Sequence, residues 1–265
     1  MERLTVKISN NIAEVILDRP KKLNLMDHKL FMEIRSTFDT LADDINVRAI
    51  VLHANGKLFC AGLDLAAATS DMGAFGIRKH QLYTHILNWQ AAVSSIEKCK
   101  KPVIAAIHGA CIGGAVDVIC AADFRVCTKD AYFSIKETAI AMVADLGTLQ
   151  RIQKVVPKGL AREMAFTAAP LKSGRALSSG FVNQVYENKE DMLKGALKIC
   201  TVIASHSPLA VQGTKIVMNY AQEHTTEDGL NHIAMWNTTH LMSDDLTEAS
   251  MAFFQKRKPV FKCNL

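Results

Sequence analysis

The chain has 265 residues, 49% hydrophobic and 22% charged, with a formal net charge of +5. That length buries a sizeable core, as one large domain or one domain with a small helical appendage. The composition excludes a disordered chain, and no apolar run is long and uncharged enough to span a membrane.

The opening Leu4–Ile8 alternates with period two, and Ile12–Leu17 follows after Asn10-Asn11. This predicts a hairpin. Asp27 predicts an N-cap for a helix whose apolar positions Leu30, Phe31, Ile34, Phe38 and Leu41 have helical spacing. Ala49–Ala54 and Pro102–Ile107 are continuous apolar runs, as expected of strands covered on both faces. A long helix is predicted over about 76–98, a shorter one around Gly114–Ala122, and short strands at Phe124–Cys127 and Tyr132–Ser134. After about residue 157 the strand signals nearly vanish. Helices are predicted over 159–168, 173–179, 189–204, 207–223, 226–242 and 245–256. The pattern is an α/β fold: a mostly parallel sheet within a core of residues 1–190, then a helical region of residues 191–265.

Seven cysteines (Cys60, Cys99, Cys111, Cys120, Cys127, Cys200, Cys263) form no C-x-x-C pair, so no zinc or other metal site is expected, and they read as reduced core residues. With no apolar signal region and no Arg-rich presequence at the start, they predict a cytoplasmic location. The closing Cys263-Asn264-Leu265 is a partial match to the Ser-Lys-Leu peroxisomal address, which leaves that organelle as the alternative. The tail Lys256–Lys262 carries four positive charges, suited to a solvated helix end or to phosphates.

The chemistry concentrates in the middle third. Asp117, Glu137 and Asp145 each sit among apolar residues and glycines. Carboxylates enter such surroundings when paired or when they have a task, and burial raises their pKa toward neutrality, where they can give and take protons. On local grounds alone, Asp117 could complement a helix dipole, Glu137 could pair with Lys136, and Asp145 could cap a turn. Two glycine-bearing loops each follow an apolar strand: Leu58–Leu65, and Ile107–Ala115 leading into a helix. Their free N–H groups could jointly hold a carbonyl oxygen as negative charge develops on it. His108 reads as a satisfied core histidine, Asp64 as a residue holding its own loop, and Asp123 with Arg125 as a structural ion pair.

The segments FCAGLDL, AAIHGACIGGAVDVICAADFRV and YFSIKETAIAMVADLGTLQRI resemble the crotonase (enoyl-CoA hydratase/isomerase) superfamily, and the resemblance extends from LDRPKKLN to FFQKRK. It implies a crotonase-like spiral of ββα units with a helical C-terminal trimerisation region. It also implies that the Leu63 and Gly114 amides form an oxyanion hole for a thioester carbonyl. Hydratases carry Glu at the positions of Asp117 and Glu137, and typically Gly at that of Asp145. Dienoyl-CoA isomerases are more similar, with Asp, Glu and a further Asp at the three positions. Ala115 departs from a third glycine found in many members. For coenzyme A the resemblance implies Lys22, Leu23, the loop Ala61, Gly62, Asp64 and Leu65, and Phe253 and Lys256, the last two in many members from a neighbouring subunit. Ala66–Thr69 and the helix after them are expected to line the acyl-tail pocket.

The expected function is isomerisation of 3,5-dienoyl-CoA to 2,4-dienoyl-CoA in unsaturated fatty-acid breakdown. Glu137 would work at C2 and Asp145 at C6, while Asp117 tunes the pair. No cofactor is expected, since coenzyme A is part of the substrate. The expected assembly is a homotrimer or homohexamer, with Ile233, Met235 and Trp236 among the apolar helix residues to spare. The alternatives are an enoyl-CoA hydratase or a Δ3,Δ2-enoyl-CoA isomerase on the same scaffold. More remote is a non-catalytic acyl-CoA- or RNA-binding protein, supported only by Arg78-Lys79-His80 and the basic tail, without the aromatic interleaving that nucleic-acid binding calls for.

Overall fold

The computed structural model describes residues 2–67 and 79–262. Ala68, Thr69, Arg78 and Cys263–Leu265, which figure in the expectations above, lie outside the described residues, as do positions 76–78 of the predicted long helix.

Asn10 and Asn11 both adopt positive φ, 50° and 62°. A two-residue hairpin turn of type I′ demands this backbone, and Asn tolerates it. The turn joins β1 (Leu4–Ser9) antiparallel to β2 (Ile12–Leu17), with Ser9 opposite Ile12. The later strands are β3 (Ala49–Ala54), β4 (Val103–Ile107), β5 (Ala110–Ile112), β6 (Phe124–Thr128), β7 (Tyr132–Ser134), β8 (Leu171–Lys172) and β9 (Gln184–Tyr186). The main sheet runs β1-β2-β3-β4-β6-β9 and is parallel from β2 onward; β5, β7 and β8 form a second, three-stranded sheet. Two strands, β8 and β9, arise where the sequence predicts helices only. At two and three residues they are too short for a period-two signal.

The first helix, α1 (His28–Asp43), is capped by Asp27, which accepts the Leu30 N–H at 2.9 Å. Its predicted apolar face is fully buried. Then come α2 (Lys79–Lys98), α3 (Gly114–Cys120), α4 (Thr148–Arg151), α5 (Lys158–Thr167), α6 (Ser173–Ser178) and α7 (Lys189–Ala204). Three more helices follow: α8 (Pro208–Ala221), α9 (Thr226–His240) and α10 (Asp244–Phe254).

Alternate residues of β3 and β4 face opposite ways. Ile50, Leu52, Val103 and Ala105 enter the main core with α1, α2 and α3. Val51, Ile104 and Ala106 meet Met192, Ala196 and Cys200 of α7. Burying each large aliphatic side chain contributes roughly 1.5–3 kcal/mol, so α7 is bound to the sheet by its own apolar stripe. A division at residue 190 therefore falls inside a helix that completes the core.

The six described cysteines are free and buried. Burial pushes the Cys60, Cys120, Cys127 and Cys200 thiols up to about 12, which keeps them protonated and inert. His108 Nε2–H donates to Gly56 O at 2.9 Å, and burial lowers its pKa. The expected Asp123–Arg125 pair does not form. Arg125 turns inward to the carbonyls of Phe181, Ile119 and Ala122, satisfying the end of α3. Asp123 instead accepts the Val103 amide and pairs with Lys215 of α8 at 2.8 Å. Exposed helix carbonyls are an alternative partner for Arg that pair-reading from sequence overlooks.

Candidate active site

The two glycine loops lie side by side beyond the ends of β3 and β4. Cys60 N–H donates to Ala110 O at 3.0 Å and Ile112 N–H to Cys60 O at 3.1 Å, a short parallel bridge between them. On the other flank, Met26 N–H donates to Gly62 O and Asp64 N–H to Met26 O, both at 2.9 Å. This pairing turns the Leu63 amide the opposite way. Gly62 has φ +98°, and a Cβ there would stand 2.9 Å from Ile112 O, so the approach of the loops requires glycine. Gly114 is the first residue of α3, where an amide has no acceptor within its helix. Among the described residues, neither the Leu63 nor the Gly114 N–H has a hydrogen-bond acceptor. Two free main-chain donors on adjoining loops, one at a helix N-terminus, can bind an oxygen carrying negative charge.

These donors open into a cavity of about 710 Å³ whose walls include Asp117, Glu137 and Asp145. The volume is in the range of small-molecule sites, roughly 300–1,000 Å³. Asp117 is 1% exposed, and its Oδ1 accepts the Thr148 amide at 2.6 Å. Burial pushes its pKa up to about 7, and the charges of Glu137 and Asp145 push the same way. Glu137 opens a 3-10 turn (Glu137–Ile140), and its Oε2 is buried with no partner among the described residues. Its Oε1 lies 3.3 Å from where a Cβ on Gly113 would stand, which places the carboxyl beside the second glycine loop. Burial raises the pKa of Glu137, with the Asp145 charge contributing, and burial also raises that of Asp145. The three acids form one electrostatically linked set.

Of the residues singled out from sequence, Ala61, Gly62, Leu63, Leu65, Gly114, Asp117, Glu137 and Asp145 line this single cavity. Leu23 and Lys22 do not line it; Leu23 O accepts the amide of Ala61, which does, at 3.1 Å, and Lys22 is exposed. Asp64 holds its own loop: Oδ1 accepts the Ala67 amide at 3.2 Å, and Arg19 stands 3.8 Å from Oδ2. Phe253, 79% exposed on α10, and Lys256 just after it do not line the cavity of their own chain.

The helix expected to line the acyl-tail pocket forms a further wall of this cavity, through residues that the sequence reading did not single out. His28 of α1 and Leu82, His85, Ile86 and Trp89 of α2 line it. Trp89 Nε1–H donates to His28 Nδ1 at 3.0 Å, and His28 stacks on His85 with ring centroids 4.7 Å apart. The signal was the i, i+4 spacing of Gln81, His85 and Trp89, which puts polar and aromatic groups on one helix face.

A profile of the enoyl-CoA hydratase/isomerase family matches residues 7–264. The chain is 44% identical to the mitochondrial Δ(3,5)-Δ(2,4)-dienoyl-CoA isomerase of Dictyostelium discoideum, over 99% of this chain and 92% of that protein. It is 42% identical to the peroxisomal enzyme of that name from Arabidopsis thaliana, over 98% and 96%. With the mitochondrial one from Homo sapiens it shares 39% identity, over 94% of this chain and 77% of that protein. Among solved structures, the enoyl-CoA hydratase of Bacillus anthracis superposes with a TM-score of 0.90 at 25% identity, covering 98% and 99% of the two chains. The relatives' names are organellar and give no support to a cytoplasmic location. Among the described residues, no helix is long and apolar enough to cross a membrane.

Proposed function

Because the chain belongs to the enoyl-CoA hydratase/isomerase family, we propose that it isomerises 3,5-dienoyl-CoA to 2,4-dienoyl-CoA. The observation that carries this reading is Asp145 sharing one cavity with Asp117, Glu137 and two unpartnered amides. Hydration across C2–C3 needs an acid and a base around one water. A proton leaving C2 and another arriving at C6 need two groups spaced along the conjugated chain. The names of the relatives point the same way.

In this mechanism the thioester oxygen sits between the Leu63 and Gly114 amides. Glu137, as carboxylate, takes the C2 proton. The electron pair delocalises into a dienolate, whose oxygen the two N–H groups hold. A lost donor of this kind costs about 3–4 kcal/mol in the transition state. Asp145, as neutral acid, then delivers its proton to C6. Burial raises the pKa of all three acids, the direction in which a proton becomes available on Asp145 for the second step. Asp117 tunes the set: uncharged, it leaves the cavity able to carry one ionised carboxylate at a time. Exchange with solvent returns Glu137 and Asp145 to their starting states.

Coenzyme A enters as part of the substrate, and the reaction needs no separate cofactor. Lys22, Leu23 and the Ala61–Leu65 loop are its nearest contacts, with Phe253 and Lys256 reaching it from a neighbouring subunit of a trimer or hexamer. That neither lines the cavity of its own chain and that Phe253 is exposed favour that arrangement. The setting is an organelle that oxidises unsaturated fatty acids, as the names of the relatives suggest. Purified protein given 3,5-dienoyl-CoA should generate the absorbance of the conjugated 2,4-dienoyl thioester. Turnover confined to hydration of 2-enoyl-CoA would refute the proposal.

A further inference from the structure

We infer that Gln90, on α2, is a positioning residue for Asp145; this role rests on the isomerase reading above. Asp145 lies between the 3-10 turn ending at Ile140 and the start of α4, in a stretch with no helix or strand to fix its backbone. The direction of its carboxyl therefore depends on how the backbone that carries it is held. Gln90 Nε2–H donates to the Asp145 carbonyl at 2.7 Å, in partly buried surroundings.

Three further bonds support this one. Arg151 donates to Glu97 Oε2 at 3.0 Å from Nε and 2.7 Å from Nη2, and to Ser94 Oγ at 3.0 Å. Its guanidinium lies over Gly147, in the place a Cβ there would take. Gln90, Ser94 and Glu97 have i, i+4, i+7 spacing, one face of α2. Leu82 and Ile86 continue the same side toward the N-terminus of the helix, where they line the cavity. One helix therefore forms the wall of the cavity and holds the strap that carries Asp145. Gln90 touches neither the reacting carbons nor the thioester; it fixes where the C6 proton donor stands.

Glu137 is placed separately, by its own 3-10 turn beside the second glycine loop. Loss of the Gln90 bond should therefore slow delivery to C6 while leaving removal at C2 intact. The dienolate then returns to substrate: in deuterium oxide, Glu137 gives a solvent deuteron back to C2. With Gln90→Leu, 2,4-dienoyl-CoA formation should fall about 10–100-fold. Deuterium at C2 of recovered 3,5-dienoyl-CoA should persist, so the ratio of exchange to isomerisation rises by a similar factor. KM should change less than about twofold, since uniform substrate binding is untouched. In Gln90→Glu, only the neutral acid can donate to Asp145 O, so its deficit relative to wild type should narrow as pH falls. Exchange and isomerisation falling by one common factor, or neither falling, would overturn the role. A wild-type protein that forms no 2,4-dienoyl-CoA removes the isomerase reading, and this role with it.

Discussion

The α/β core and the helices that follow α7 treat apolar surface in opposite ways. In β3 and β4 every residue is buried, and the three acids share one cavity with the Leu63 and Gly114 loops. In α9, α10 and the turns beside them, Met235, Met242, Phe253 and Phe254 are 73%, 91%, 79% and 81% exposed. The core gathers its acids around one cavity, whereas the helical region leaves large apolar side chains exposed, as surfaces that meet a partner do. The two are joined by the buried Lys215, which reaches from α8 to Asp123 and the Lys101 carbonyl. Acid/base chemistry should therefore respond to changes in the core, and assembly to changes in the helices.

The largest effect should come from removing a proton carrier. Glu137→Gln and Asp145→Asn should each lower 2,4-dienoyl-CoA formation about 10²–10⁴-fold, read from the product's absorbance. Asp145→Asn should still exchange C2 protons in deuterium oxide, and Glu137→Gln should not. A near-wild-type Asp145→Asn would dissolve the division of labour between the acids.

Next comes the junction of the glycine loops. Gly62→Val forces a side chain onto Ile112 O at a residue with φ +98°. It should displace the Leu63 donor and cost about 10²–10³ in kcat, with the thermal transition lowered but still cooperative. Retained kcat would show that the Leu63 amide does not bind the oxyanion.

The third effect is on stability. Burial pushes Asp117 up to about 7, above an unfolded aspartate. The folded protein thus keeps a proton that the unfolded chain releases. The stability this carboxyl contributes is fully present below the unfolded value and is lost as pH rises through about 7. Asp117→Asn keeps the oxygen that accepts the Thr148 amide and removes the titration. It should be more stable than wild type at pH 8, by up to about 4 kcal/mol, with little difference at pH 4, in urea unfolding at the two pH values. Glu137 and Asp145 leave the variant a residual slope of the same sign. Equal differences at both pH values would contradict a neutral, buried Asp117.

The smallest effect on the subunit itself should come from Phe253→Ser with Phe254→Ser. Exposed side chains away from the core change unfolding by less than about 0.5 kcal/mol. Sedimentation should nevertheless show a smaller assembly. Unchanged mass would mean that these phenylalanines face solvent in the working protein.

Much of this division can be read from the chain. The Asn10-Asn11 turn, the capped α1 and the apolar runs of β3 and β4 each rest on local chemistry, so their signals lie within a few residues. The three acids were legible because a carboxylate among apolar neighbours is conspicuous. The partners of those acids were not. Thr148 and Gln90 reach Asp117 and Asp145 across 31 and 55 positions, and nothing about an ordinary Thr or Gln marks such a reach. The free amides were readable only as glycine-rich loops. Their pairing depends on the main-chain hydrogen bonds of Cys60 with Ala110 and Ile112, which the fold creates. Arg125 was misread because helix carbonyls, unlike carboxylates, leave no trace in the residue letters.

The two donors facing the cavity are main-chain groups. A mutation at position 63 or 114 can alter their setting, but only proline deletes an N–H. The oxygen-holding half of this site is therefore shielded from the genetic code, while each acid is one codon change from losing its function. Directed evolution of this scaffold toward other thioester reactions should find its useful variation at positions 117, 137 and 145, with the loops serving as a fixed chassis.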